Sequence, residues 1–179
     1  MASILIIGGG GMVGQKLASA LGKSPLSRAN DSVTLFDLGF ADPAAPAAHR
    51  VTGKVPDDAH VSSLIAQRPD VNFHLASIVS GEAETDFDLG WTVNGRAFWN
   101  FLEAVRAEHV ASGEVWRPRV VFTSSIAVFG APFPDKIDDT FLSAPQTSYG
   151  AQKAISELML TDFSRKGFLD GLSIRLPTI

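Results

Sequence analysis

At 179 residues and a formal net charge of -4, the chain has length for one domain with a sizeable core and too little for two ordinary ones. Its 19 acidic against 15 basic residues leave no basic excess to attract nucleic acid or an anionic membrane. The absence of cysteine excludes disulfides, thiol nucleophiles and zinc-thiolate clusters, and the apolar runs fall well short of a membrane span, so a soluble cytoplasmic protein is expected.

The first stretch, residues 3–14, reads SILIIGGGGMVG: an apolar run, then clustered glycines, then the start of an amphipathic pattern. Gly8, Gly11 and Gly14 stand in the spacing G-x-x-G-x-x-G, which suits a sharp turn, close approach of backbone to a pyrophosphate, and tight packing of helix on strand. The helix N-terminus then offers N–H donors and a partial positive charge to phosphates. Taken alone, the motif is also compatible with a glycine-rich turn that holds no ligand.

Met12, Val13, Leu17, Ala18 and Leu21 recur at helical spacing to near Gly22, where a polar connection through Ser24-Pro25 begins. Ser32–Asp37 is a short β-branched and aromatic run ending in an acid about twenty residues past the glycines. Asp37 is thereby placed to accept hydrogen bonds from an adenosine ribose and to repel a 2'-phosphate, favouring NAD over NADP. A Pro/Ala connection over 38–49 leads to a weak strand over 49–55, near whose end adenine is expected, and Asp57-Asp58 can cap a helix through Gln67. Val71–Ala76 reads as the fourth strand, followed by a small-residue loop, Ser77–Gly81, suited to passing beside a ligand. His74 has no second ligand at metal spacing and reads as structural.

The longest helical pattern runs from Asp86 to about Ser112, with Trp91, Phe98, Trp99, Leu102 and Val105 expected to be mostly buried. Arg119–Thr123 forms a fifth strand ending in Ser124-Ser125, and a proline-rich loop over 130–147 suggests an excursion over a site. Tyr149 opens another helix carrying Lys153, Ile155, Leu158, Met159 and Phe163, and Gly171–Leu176 forms a sixth strand. Strands alternating with helices in this way predict an α/β, doubly wound parallel sheet with ligands at the carboxyl ends of its strands.

Tyr149 and Lys153, four apart, share one helix face. An ammonium about 4 Å from a phenol favours the phenolate by roughly 4 kcal/mol at an effective dielectric near 20. A phenolate so prepared can take the proton from a substrate hydroxyl as hydride leaves the same carbon for a nicotinamide, while Ser125 holds the substrate oxygen. Singly, each is ordinary: a helix-start aromatic, a solvated lysine, a strand-end cap.

Together these residues resemble the extended short-chain dehydrogenase/reductases, the NAD-dependent epimerase/dehydratase group. The matching segments are IGGGGMVG at 7–14, Asp37, HLAS at 74–77, VN at 93–94, TSSIAVFG at 123–130, YGAQK at 149–153 and RLP at 175–177. The resemblance implies a Rossmann-type fold with Tyr149 as catalytic acid/base, Lys153 on the nicotinamide ribose, Ser125 orienting substrate, and Asn94 supporting a proton relay. Cofactor contacts are expected at the glycine loop with Met12 and Val13, at Asp37 and Val55, and at Leu75, Ala76 and Ser77. Others are expected at Asn94, Thr123, Tyr149, Lys153 and Pro177, and substrate contacts at Ser80, Ser125, Ile126 and Tyr149. Lys54 stands where members often carry an adenine-contacting aspartate, which departs from the pattern. Members are also longer, with substrate-binding elements in a C-terminal part that this chain is expected to lack.

Within the group, HLASIVSG, FDLGWTVN and SRKGFLDGLSIRLPTI are most similar to members that oxidise a secondary hydroxyl of four-carbon sugar acids. Pairing of two copies through the helices near 86–112 and 149–165 is expected from their large apolar residues and from family habit. Two alternatives stay open: a nucleotide-sugar epimerase that retains its NAD, and a non-catalytic dinucleotide sensor.

Overall fold

A computed structural model describes residues 2–24, 31–41, 48–138 and 140–177. Pro25 of the expected polar connection, residues 42–47 of the Pro/Ala connection expected over 38–49, and the last two residues lie outside the described residues. Six strands, β1 (Ser3–Ile7), β2 (Ser32–Asp37), β3 (Ala48–Thr52), β4 (Val71–His74), β5 (Arg119–Ser125) and β6 (Asp170–Leu176), form one sheet. Its order is β3-β2-β1-β4-β5-β6 and every pair is parallel, as the alternation of strand and helix requires. The order reverses between β1 and β4, which opens a crevice at their carboxyl ends.

Alternate residues of each strand serve opposite faces. Leu5, Ile7, Phe36, Val120 and Phe122 pack under α2 (Asp58–Ile65), α5 (Ala97–Ala111) and α6 (Ser148–Arg165), through Val61, Leu64, Phe98, Phe101, Leu160 and Phe163. Ile4, Ile6 and Leu35 meet α1 (Met12–Lys23) on the other face through Ala18, with Leu17 and Leu21 beside them. On that second face Leu172 and Ile174 pair in register with Val121 and Thr123 and remain substantially exposed.

Helix boundaries follow local chemistry. Asp57 caps α2 by accepting from the N–H groups of Ala59 and His60, and Thr147 caps α6 by accepting from Gly150 N–H. The single long helix expected over 86–112 is instead three pieces: α4 (Phe87–Gly90), a π-helical turn over Trp91–Arg96, and α5. A short helix, α3 (Ser80–Thr85), begins within the expected small-residue loop. Trp99, expected to be buried, is 44% exposed, its ring edge-on to Phe163 at 5.7 Å.

His74, the last residue of β4, is buried among the rings of Phe98 (4.9 Å), Phe101 (5.2 Å) and Phe122 (6.3 Å). No group of three or more His, Cys, Asp or Glu placed to hold a metal ion occurs among the described residues. Burial, reinforced by the nearby Lys153 cation, pushes its pKa down from 6.5 to about 3. The unfolded chain therefore binds a proton that the native state refuses between those values, so stability is complete above pH 6.5 and falls as the pH drops toward 3. At pH 5 the loss is about 2 kcal/mol. Denaturant titrations at pH 7 and pH 5 should show this, and His74→Leu should flatten the dependence by about that amount.

Candidate active site

The glycine loop is closely packed. Gly8 has a φ of +87°, and a Cβ there would lie 2.5 Å from the Ala76 nitrogen, so the end of β1 runs against the end of β4. A Cβ at Gly14 would lie 2.4 Å from the Gly8 oxygen, which is the close helix-to-strand packing that the spacing predicts. Gly11, the N-cap of α1, carries no capping side chain, so the first N–H groups of the helix face outward unclaimed by a side chain.

Asp37 closes the loop from the next strand. Its Oδ2 accepts from Gly10 N–H at 2.8 Å and its Oδ1 from Leu38 N–H at 2.7 Å, which fixes the carboxylate at the rim of a cavity of about 660 Å³. Gly8, Gly11, Asp37, Val55, Leu75, Ala76 and Ser77, each an expected cofactor contact, line this cavity. Gly10, Lys54, Ile78, Glu82 and Val93 line it as well. An open helix N-terminus, a carboxylate one strand away and a trough lined by both Gly11 and Asp37 fit a dinucleotide.

Leu75 and Ser77 also line a second, smaller cavity of about 150 Å³, together with Val13, Thr123, Ser124, Ser125, Tyr149, Lys153, Leu176 and Pro177. Tyr149 and Ser125 thus open onto one space that is continuous in its lining with the glycine-loop trough. Gly150 permits this: a Cβ there would lie 2.2 Å from the Ala127 oxygen, so the turn after β5 sits directly on the first turn of α6. Ser125 Oγ accepts from Ala127 N–H at 3.1 Å, which leaves its own proton for an oxygen in the cavity.

Lys153 is buried. Its Nζ donates to the Thr123 carbonyl at 2.8 Å and lies over the rings of Phe122 (4.8 Å) and Tyr149 (5.5 Å). Burial lowers its pKa to about 8. Beneath Ser125, Ser124 Oγ donates to Glu157 Oε1, and Arg175 Nη2 donates to Glu157 Oε2 at 2.7 Å, tying β5, α6 and β6 together.

Five anticipated residues lie outside both cavities. Met12 is exposed on the first turn of α1, Gly14 is buried beneath the loop, and Ser80 is exposed at the start of α3. Asn94 is buried in the π-helical turn, where its side chain is fully engaged: Oδ1 accepts from Ser77 Oγ and Ile78 N–H, both at 2.9 Å, and Nδ2 donates to Ile78 O at 3.3 Å and Gln152 Oε1 at 2.8 Å. Ile126 lines a third cavity of about 530 Å³ with Phe129, Phe133, Ile137, Asp138 and Arg175. The YGAQK segment held the one readable sign of the unanticipated Gly150, a small residue beside Tyr149.

Residues 4–179 match the model of the NAD dependent epimerase/dehydratase family. The chain belongs to that family. It is 38% identical over 98% of its length to D-erythronate dehydrogenase of Haemophilus influenzae, and 42% identical over 99% to that of Cupriavidus necator. It spans about half of these curated relatives, 54% and 55% of their lengths. Among solved structures it is similar to a nucleoside-diphosphate-sugar epimerase from Agrobacterium tumefaciens, at 47% identity and a TM-score of 0.90, covering 99% of this chain and 53% of that one. A UDP-glucose 4-epimerase from Brucella ovis, solved with NAD, shares the fold at a TM-score of 0.82 and 24% identity, covering 98% of this chain and 51% of that one. NAD is the cofactor named in the family's own description, and the trough described above has the donors and shape to take it.

Proposed function

We propose that this chain is the cofactor-binding part of an NAD-dependent dehydrogenase that oxidises a secondary hydroxyl of a small sugar acid resembling D-erythronate. One observation carries the chemistry: Tyr149, Lys153 and Ser125 line a single cavity that shares Leu75 and Ser77 with the glycine-loop trough. The names of the two curated relatives support the sugar-acid substrate.

In this reading the first turn of α1 with Gly11, Met12 and Val13 takes the pyrophosphate, Asp37 the adenosine ribose, and Val55 and Ala76 the adenine side of the trough. Lys153, Thr123 and Pro177 surround the nicotinamide end, where bound NAD supplies the hydride acceptor. Ser125 donates its proton to the substrate oxygen and fixes its place. The Tyr149 side-chain oxygen takes the proton from that same oxygen as the carbon it sits on gives up hydride, leaving a ketone. Lys153 Nζ, over the Tyr149 ring at 5.5 Å, holds a cation beside this acid/base. Asn94 acts as a positioning residue for the Ser77 loop, while Ser80 and Ile126 flank the substrate approach.

The 47% identity to the Agrobacterium protein supports a second reading, epimerisation of a nucleotide sugar with NAD retained. Net formation of NADH separates the two. In the full-length protein, sugar acid and NAD should yield NADH at the nicotinamide absorbance, and Tyr149→Phe should lower kcat by about 100-fold or more while NADH still binds. Retained turnover in that variant would contradict the mechanism, and isomerised nucleotide sugar without NADH release would favour the epimerase.

We also infer pairing of two copies. Trp99 on α5 and Ile155 and Leu158 on α6 are exposed, Leu158 to 71%, and lie on helices packed against each other. Light scattering of the full-length protein should give a dimer mass, and Leu158→Glu should shift it to monomer; a monomeric parent contradicts the pairing.

A further inference from the structure

Ser77 and Ile78 form the joint of the site, because Ser77 lines both cavities and Ile78 lines the trough. This loop has no regular ladder of its own beyond β4, and Asn94 holds it from the π-helical turn. The orientation of Asn94 follows from chemistry. Ile78 N–H can only donate, so the Asn94 atom facing it must be the oxygen, and its amide nitrogen must then face α6.

That nitrogen meets Gln152, a residue with no exposed surface, which presents Oε1 at 2.8 Å. The orientation of Gln152 is thereby set as well: its Nε2 turns away toward Gly90, where a Cβ would lie 2.7 Å from it, and finds no protein acceptor. A buried amide with one end unsatisfied is costly, and an apolar side chain of similar volume would avoid the cost. Its retained interaction is the bond to Asn94. The adjacent residue on α6 is Lys153, and Tyr149 precedes Gln152 by three positions, so the same helix that carries the acid/base pair also anchors the joint.

We propose that Gln152 is a positioning residue: through Asn94 it sets the Ser77–Ile78 loop in register with the helix bearing Tyr149 and Lys153, and so governs how well the dinucleotide binds without touching it. The relay runs from α6 to the loop, Gln152 Oε1 to Asn94 Nδ2 and Asn94 Oδ1 to Ile78 N–H. Ser156 Oγ adds a second tie on the same helix, its one proton shared between Gln152 O at 2.8 Å and Asn94 O at 3.4 Å.

This rests on the dinucleotide reading above, and the test needs no substrate. NADH binding to the full-length protein, read by nicotinamide fluorescence, should weaken about tenfold in Gln152→Met. Gln152→Glu, which keeps an acceptor toward Asn94, should restore affinity to within about threefold of the parent. Ser77→Ala should weaken binding too, and the double variant with Gln152→Met should bind no more weakly than the weaker single, since both break one relay. Unchanged affinity in Gln152→Met, or losses that simply multiply, would overturn the proposal. Should Gln152→Met not fold, Asn94→Asp removes the donor facing Gln152 while keeping the acceptor for Ile78, and unchanged binding there overturns it equally. A parent that binds NADH but oxidises no sugar acid overturns only the dehydrogenase reading; a parent that binds no NADH overturns both.

Discussion

The parallel sheet reverses its order between β1 and β4, and everything functional in the chain hangs on the backbone contact at that point. Gly8 lies against Ala76, and the N–H groups of Leu75 and Ala76 both donate to the Ile7 carbonyl, at 2.8 and 3.1 Å. The ladder so extended carries the two strand ends past the core together before they part. One departs into the glycine loop and α1, the other into the Ser77 loop, and the trough lies between them. A side chain at Gly8 would press on the Ala76 backbone and force these ends apart.

The second requirement is that β5 and α6 deliver Ser125 and Tyr149 to one smaller cavity that shares Leu75 and Ser77 with that trough. Backbone contact again does this, through Gly150 against Ala127, with the Glu157, Arg175 and Ser124 bonds fastening the strands behind. Lys153 is then buried against the Thr123 carbonyl and two aromatic faces. A cation in such a place is held by geometry rather than by a counter-ion, and its lowered pKa is the sign of that desolvation. The neighbouring His74 stays neutral in the aromatic core for the same reason.

Much of this could be read in the sequence because it is written in short-range patterns. The glycine spacing, the acid at Asp37, the capping aspartate at Asp57 and the Tyr149–Lys153 spacing each state a local geometry, and alternation of strand and helix states the topology. What escaped was decided at longer range. The helix expected over 86–112 has an unbroken apolar period, yet Trp91–Arg96 winds as a π turn that carries Asn94 inward to Ser77 and Gln152, residues 17 and 58 positions distant. Trp99 fits the same period but falls on the outer face of α5. Gln152 is invisible to pattern because a glutamine on a helix reads as surface until its partner is known.

In the proposed function the dinucleotide occupies the trough and reaches the acid/base pair in the adjoining cavity, past Leu75 and Ser77. A crystal structure of the full-length protein with NAD tests it most directly. The adenosine ribose should lie on Asp37 and the nicotinamide ring in the cavity between Tyr149 and Ser125. A nicotinamide ring bound away from Tyr149, or an adenosine ribose away from Asp37, would contradict it.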